Sequence, residues 1–479
     1  MTWWNDHLPT LLCNSFWTLS CLPDYLRFLR QADQVNAVQQ RLLRHFLRTN
    51  QETAFGRQWH FSAIDNWETW AREMPIQDYE DFAPYVQRIM AGERNVLTAE
   101  PIRLLEPTSG STGKSKLIPY TKSLQAEFQR AISCWIADIF LHFPSLLLGH
   151  SYWSISPPAR KTPEQSAVPI GFNADTEYLG TFSQRLMRKI MLCPPDFETA
   201  GEFLASQKNL RFMSIWSPTF LNSLFHEDFA KTQKMDSLRF ISVWGDATSQ
   251  QFLPLVKEYF PKALIQPKGL LSTECFSTFP LFRLNHQAVL AYQSHFFEFK
   301  EETGEISLPQ HLETGKRYSL IVTTGGGLYR YNTHDIVETR GFFHSIPILR
   351  FVGRDNRLSD YFGEKLNETF VDNACREAFE QCHVRPEFYM VVFRKNHYLL
   401  LLDAPNEDFQ SLAEILDELL RKNFHYDNCR LLGQLTQLQC QALSHGLEKY
   451  EAFHRQNGMK LGDIKLHPLN PDFPWEKLL

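Results

Sequence analysis

The segment Thr108–Lys116 reads TSGSTGKSK, a run of glycines and hydroxyls ending in two lysines. Exposed backbone N–H groups in such a bend form a nest for an anion, and the hydroxyls and lysines add donors and positive charge. A P-loop of the form G-x-x-x-x-G-K-[ST] would use Gly113, Lys114 and Ser115 at its end, but it needs a glycine where Thr108 stands. The flanks also disagree with a P-loop. A short apolar run ending at Pro107 precedes the segment, and LIPYTKS, a short strand before a helix start, follows it. The segment reads as a phosphate-holding loop that enters a strand.

Three further stretches put polar, glycine-flanked residues at the ends of apolar runs: VWGDATS (Val243–Ser249), GLLSTE (Gly269–Glu274) and YRYNTHD (Tyr329–Asp335). Ligands of α/β sheets gather outside the carboxyl ends of strands, where a carboxylate can hold Mg²⁺ or a ribose. Each stretch alone also suits a solvated cap or turn. Together, and in this order, they suit nucleotide chemistry. Two later segments carry basic residues in glycine-punctuated loops. GRDNRLSDYFGEKLNE contains Arg354 and Lys365, and NGMKLGDIKLHPL contains Lys460 and Lys465.

These residues need elements to hold them. The chain has 479 residues, 43% hydrophobic and 22% charged, an ordinary globular composition long enough for about two or three domains. A net charge of −5 gives no basic face for nucleic acid. Nine scattered cysteines without a C-x-x-C pair indicate neither a zinc ribbon nor a disulfide framework, and suit a reducing compartment. LPTLLCNSFWTLSCL near the N-terminus resembles a short signal core, but Asp6 and no Lys or Arg precede it. It is expected to pack on the body of a cytoplasmic protein that has no membrane span.

Apolar spacing predicts one helix over Ala32–Phe55, stopped by Gly56, and a second from about Ser123. Strand-like RFMSIW, LRFISVWG and ALIQPKGLLSTE then alternate with helical runs, which argues for α/β layering. From HFFEFKEE to ILRFVGR the segments are short, β-rich and turn-separated, and suggest an antiparallel, barrel-like subdomain. A smaller α/β unit follows, with a helix in NETFVDNACREAFEQC, a strand over EFYMVVFRKNHYLLLLDA and a helix in QSLAEILDELLRKNF. The expected domains are 1–354 and 355–479.

TSGSTGKSK resembles the phosphate loop of the adenylate-forming superfamily, [ST]-S-G-[ST]-T-G-x-x-K, and LLSTE occupies the place of its Tyr-Gly-x-Thr-Glu segment. GRDNRLSDYFGEKL resembles its hinge. Within the superfamily, GLYRYNTHDIVETRGFFHSIPILRFVGR, AGERNVLTAEPI, KLIPYTKS and GEKLNE are most similar to the Gretchen Hagen family of acyl acid–amido synthetases, over nearly the whole chain. The resemblance implies an α/β adenylate-forming fold, with a large N-terminal domain and a small mobile C-terminal domain. It also implies a two-step ligase. ATP and a small carboxylic acid give an acyl-adenylate and pyrophosphate, and an amine, usually of an amino acid, then takes the acyl group.

On this resemblance Thr108, Ser109, Gly110, Ser111, Thr112 and Gly113 would hold phosphates, with charge from Lys114 and Lys116. Thr273 would bond the α-phosphate and Glu274 would hold Mg²⁺. The backbone of Gly245, Asp246 and Ala247 would line adenine. Asp335 would accept the ribose hydroxyls, and Arg354 would contact ribose or phosphate. Lys465, rather than Lys460, would bridge carboxylate and α-phosphate during adenylation. An acyl-CoA ligase shares the first step, and a silent nucleotide-binding relative is the reading from another class.

The chain departs from the family pattern in two places. His334 stands where plant members have glycine, and Leu270 or Leu271 stands where the adenine-stacking tyrosine is expected. Trp216, Trp244, Phe276 and Phe279 are candidates both for the acyl pocket and for plain core.

Overall fold

The structure is a computed structural model that describes residues 2–108, 116–153, 166–171, 189–195, 199–216, 218–225, 235–354, 358–404, 409–457, 459 and 464–478. The N-terminal apolar stretch is one helix, α1 (Thr2–Arg30). Trp17, Cys21, Tyr25 and Phe28 repeat at helical spacing, and all are buried. They lie along the long helix α6 (Lys122–His142), where the Tyr25 hydroxyl donates to Asp138 Oδ1 at 2.8 Å.

The pattern from Ala32 to Phe55 is not one helix. α2 spans Val35–Asn50, and a separate short helix, α3, spans Ala54–Gln58 with Gly56 inside it. The Thr53 hydroxyl caps α3 by accepting the Gly56 N–H at 2.9 Å. A Cβ at Gly56 would stand 2.0 Å from the Asn50 carbonyl oxygen. Glycine therefore lets α3 fold back against the end of α2, where it had been expected to stop a single helix.

β1 (Leu104–Pro107) and β2 (Leu117–Tyr120) form an antiparallel hairpin. The Thr108 N–H donates to the Lys116 carbonyl at 2.8 Å, just beyond the last pair of the hairpin. Thr121 then caps α6 through its side chain. Next comes a four-stranded parallel sheet of β3 (His150–Trp153), β4 (Leu210–Ser214), β5 (Phe240–Trp244) and β6 (Leu264–Lys268), in that spatial order.

The β-rich section is a seven-stranded sheet. Its strands are β7 (Thr278–Pro280), β8 (Ala288–Leu290), β9 (Phe296–Lys300), β10 (Ile306–Ser307), β11 (Arg317–Thr323), β12 (Tyr331–Phe343) and β13 (Ile346–Arg354), ordered β10-β9-β11-β12-β13-β8-β7.

The chain divides into two compact units. The first comprises Met1–Thr333 with Val337–Phe351, and the second comprises His334–Ile336 with Val352–Leu479. In the second unit β14 (Leu358–Ser359) pairs with β15 (Leu366–Asn367), and Asn367 caps the helix Glu368–Gln381. The apolar run expected as one strand is a hairpin, β16 (Phe388–Arg394) and β17 (His397–Asp403). The chain reverses at Lys395, whose φ of 56° is the left-handed value a tight turn requires. β18 (Gln439–Ala442) adds parallel to β17. Val391, Leu400 and Leu402 pack into one core on this sheet, while Met390, Val392, Leu399 and Leu401 pack into another. Both faces are covered, which is why these strands are apolar throughout rather than alternating.

Candidate active site

The carboxyl ends of the parallel strands carry much of the predicted machinery. After β6 the chain continues to a bridge between Leu271 and Phe276 that closes a tight turn, with the Ser272 N–H donating to the Cys275 carbonyl at 3.0 Å. Thr273 and Glu274 are the two tip residues of this turn. Glu274 is 8% exposed, and among the described residues no hydrogen bond or ion pair reaches its carboxylate. A carboxylate with no protein partner at the tip of a turn is open to a cation. Among the described residues no group of three or more His, Cys, Asp or Glu side chains is placed to hold a metal. Glu274 is the residue of this turn that would contribute a carboxylate to Mg²⁺, which with nucleotides is otherwise held by phosphates and water.

The turn is braced from behind. The Phe276 N–H donates to His295 Nε2 at 3.0 Å, and His295 Nδ1 lies 2.7 Å from Glu127 Oε2. Accepting at Nε2 requires the proton on Nδ1, so His295 is the neutral tautomer that donates to Glu127. Glu127 also accepts the Gly325 N–H. His295 and Glu127 are 0% and 2% exposed. Sequence reading did not single out this pair. Its members are 168 positions apart, and a lone glutamate in α6 gives no local signal.

Gly245, Asp246 and Ala247 follow the end of β5 directly. A Cβ at Gly245 would lie 2.8 Å from Pro267 Cβ, so only glycine lets the chain turn away this close to β6. Asp246 Oδ2 accepts the Phe351 N–H at 3.4 Å, and burial pushes its carboxyl up to about 6.

Asp335 lies within β12 rather than at the end of a strand, because pairing in the seven-stranded sheet begins already at Tyr331. It is 6% exposed, and Arg354 Nε stands 3.2 Å from its Oδ1. The contact is an ion pair. His334 has φ of 61°, a left-handed backbone in mid-strand. That conformation favours glycine, the residue the resembled pattern carries there.

Lys116 Nζ lies over the Tyr79 ring at 5.6 Å. Ser109, Gly110, Ser111, Thr112, Gly113, Lys114 and Lys460 lie outside the described residues. Lys465 belongs to the second unit. It is exposed, and its carbonyl accepts the Tyr450 hydroxyl at 2.9 Å. Leu270 and Leu271 are partly buried against the main core. Phe276 and Phe279 are core residues, at 4% and 1% exposure. Trp216 and Trp244 pack on each other at the strand ends, with ring centroids 5.7 Å apart.

Three family models match in chain order: the GH3 family N-terminal domain over residues 25–195, its central domain over 288–354 and its C-terminal domain over 368–472. The chain belongs to the GH3 family.

Relatives span most of its length. The probable indole-3-acetic acid-amido synthetase GH3.1 of Arabidopsis thaliana is 23% identical over 447 residues, covering 76% of this chain and 75% of that protein. The probable indole-3-acetic acid-amido synthetase GH3.7 of Oryza sativa subsp. japonica is 22% identical, covering 85% and 86%. Among solved structures, the acyl acid amido synthetase AtGH3.15 in complex with 2,4-DB matches with a TM-score of 0.81 at 17% identity, over 96% of this chain and 95% of that one. A 2-hydroxyisobutyryl-CoA ligase in the postadenylation state matches at a TM-score of 0.55 and 11% identity, over 88% and 91%. The GH3 chain thus has the α/β fold of the adenylate-forming ligases, as the phosphate-loop and STE motifs implied.

Proposed function

We propose that this GH3 chain is an acyl acid–amido synthetase. It activates a small carboxylic acid with ATP as the acyl-adenylate, releases pyrophosphate, and passes the acyl group to the amine of an amino acid. The observation that carries the reading is Glu274, a buried carboxylate without a partner among the described residues, on the turn that follows the last parallel strand. Membership in GH3 supplies the reaction class.

Adenylation brings a carboxylate to a phosphate, anion to anion, so the enzyme must supply positive charge and donors. The segment Thr108–Lys116, whose end residues Thr108 and Lys116 share a backbone hydrogen bond, would offer N–H groups, hydroxyls and two lysines to the β- and γ-phosphates. Thr273 donates its hydroxyl to the α-phosphate. Mg²⁺ held at Glu274 would withdraw charge from the phosphate oxygens. The turn does not shift as charge develops, because the neutral His295 holds the Phe276 N–H and is itself held by Glu127. Asp335 accepts the ribose hydroxyls, with Arg354 beside it to meet ribose or phosphate. Backbone groups of Gly245, Asp246 and Ala247 border the adenine. Residues from 355 onward form the mobile domain that delivers Lys465 for adenylation and then withdraws it. Nine free thiols suit a reducing, cytoplasmic setting. Among the described residues no helix is long and apolar enough to cross a membrane.

The test is ATP–pyrophosphate exchange with the full chain across a panel of carboxylic acids, followed by an acceptor screen with amino acids and coenzyme A. Acid-dependent exchange with amide as the product is the expected result. Thioester as the sole product would make the chain an acyl-CoA ligase, and no exchange with any acid would remove the ligase reading.

A further inference from the structure

Lys268 closes β6 at the carboxyl edge of the parallel sheet. Its Nζ donates to Ser214 Oγ at 2.6 Å, and Ser214 is the buried last residue of β4. Three indole rings surround the amine, with centroids at 5.0 Å for Trp135, 5.1 Å for Trp216 and 6.0 Å for Trp153. Among the described residues no carboxylate pairs with it. Indole faces attract a cation but offer no acceptor for its N–H groups. Ser214 takes one donor, and the charged amine has two more. Burial accordingly lowers the lysine from its ordinary 10.5 to about 7.

A purely structural lysine would pair with an acid, and this one, only partly buried, does not among the described residues. The register places it at the ligand-binding edge of the sheet. Trp153 pairs with Ser214 across β3 and β4, and Trp244 pairs with Lys268 across β5 and β6, so every strand of the sheet ends in this group. Ligands of open parallel sheets collect in that crevice. The reacting carboxyl is needed at the Thr273–Glu274 turn, beyond Gly269–Leu271 on the same segment. On the ligase reading, a ligand group at Lys268 is then a second group of the same acid.

We propose that Lys268 and its tryptophan cage are the specificity-determining end of the acyl pocket, and that the acid they select is flat and carries a second anionic group, such as a second carboxylate, away from the carboxyl that is adenylated. The inference rests on the ligase reading above. The indole walls accept the flat body, and the second carboxylate takes the N–H donors that Ser214 leaves over, which restores the ammonium form. Among the described residues, the groups facing Nζ are Trp135 of α6, Trp153 of β3, Ser214 of β4 and Trp216 just beyond it, and Trp244 of β5 lies beside it in register. None of these titrates near neutral pH, so proton uptake on binding reports Lys268 itself.

Matched acids test this: benzoate against terephthalate, and crotonate against fumarate, in pyrophosphate exchange with the full-length wild type, Lys268→Met and Lys268→Gln. The wild type is expected to favour the dicarboxylate at least tenfold in kcat/KM in one pair or both, and both variants to lose that preference by tenfold or more. Calorimetry at pH 8 in buffers of different ionisation heat should register proton uptake when the wild type, and not Lys268→Met, binds the preferred dicarboxylate. Equal ratios in wild type and variants, or an equal fall with both members of each pair, overturns the assignment while leaving the ligase reading intact. No exchange with any acid in the wild type overturns both.

Discussion

Removing the Lys268 amine should make the protein more stable, and more so as pH falls. In the folded chain the amine titrates near 7, against 10.5 for the free side chain. A depressed lysine contributes stability that is complete above 10.5 and is lost as pH falls towards 7, because the unfolded chain binds the proton first. At about 1.4 kcal/mol per pH unit, the loss between pH 9.5 and pH 7 is ~3 kcal/mol for a fully enclosed amine. Lys268 is only partly buried, and screening reduces the expected value to about 2 kcal/mol. Lys268→Met keeps length and volume but has no proton to bind. Scanning calorimetry of wild type and variant, without substrates, at pH 7.0, 8.0 and 9.5 reads the difference. Losing the Ser214 hydrogen bond and the cation–π contacts shifts the variant by a constant, so the pH dependence of the difference is the diagnostic quantity. The variant should gain on the wild type by about 2 kcal/mol from pH 9.5 to pH 7. A difference that stays flat with pH would show the amine to be solvated, or paired with an acid, in the folded protein, and would refute the reasoning.

Glu274→Ala should retain the fold and lower pyrophosphate exchange by about two orders of magnitude or more, as loss of a charge stabiliser does, and normal exchange at ordinary Mg²⁺ would take Glu274 out of the site. His295→Leu strands the Phe276 N–H and leaves Glu127 short of a donor, for about 1–3 kcal/mol of stability. It should also raise the Mg²⁺ concentration for half-maximal exchange severalfold, whereas His295→Gln, which can accept from Phe276 and donate to Glu127, should restore it. An unchanged Mg²⁺ dependence in His295→Leu makes the pair structural only. Lys465→Ala should lose adenylation while keeping most of the amide formation from synthetic acyl-adenylate and amine, since its charge is needed mainly in the first transition state. Equal loss of both steps would count against domain alternation, and the split appearing in Lys460→Ala would move the role to that residue.

The order of motifs along the chain carried the resemblance to the family. TSGSTGKSK, LLSTE and YNTHD are local signals, because each needs only a short backbone bend and a few side chains of fixed type. The apolar periods were enough for most elements. The strands of the parallel sheet and the helices after them were legible because burial on one or both faces writes a repeat into the sequence. Reading failed where a contact distant in sequence decides the local conformation. Ala32–Phe55 has an unbroken helical period, yet Thr53 and the close approach of Gly56 to Asn50 break it in two. Phe388–Asp403 is uniformly apolar because both faces of its sheet are covered, which hides the turn at Lys395. Asp335 sits inside a strand, and the left-handed backbone at His334 beside it is visible only in the fold. The pairing of Glu127 with His295 and the gathering of three tryptophans and Ser214 around Lys268 join residues from separate elements. No periodicity or spacing encodes such a meeting. It follows from the register of parallel strands, which brings their carboxyl ends to one edge, and only the folded chain makes that edge a single place.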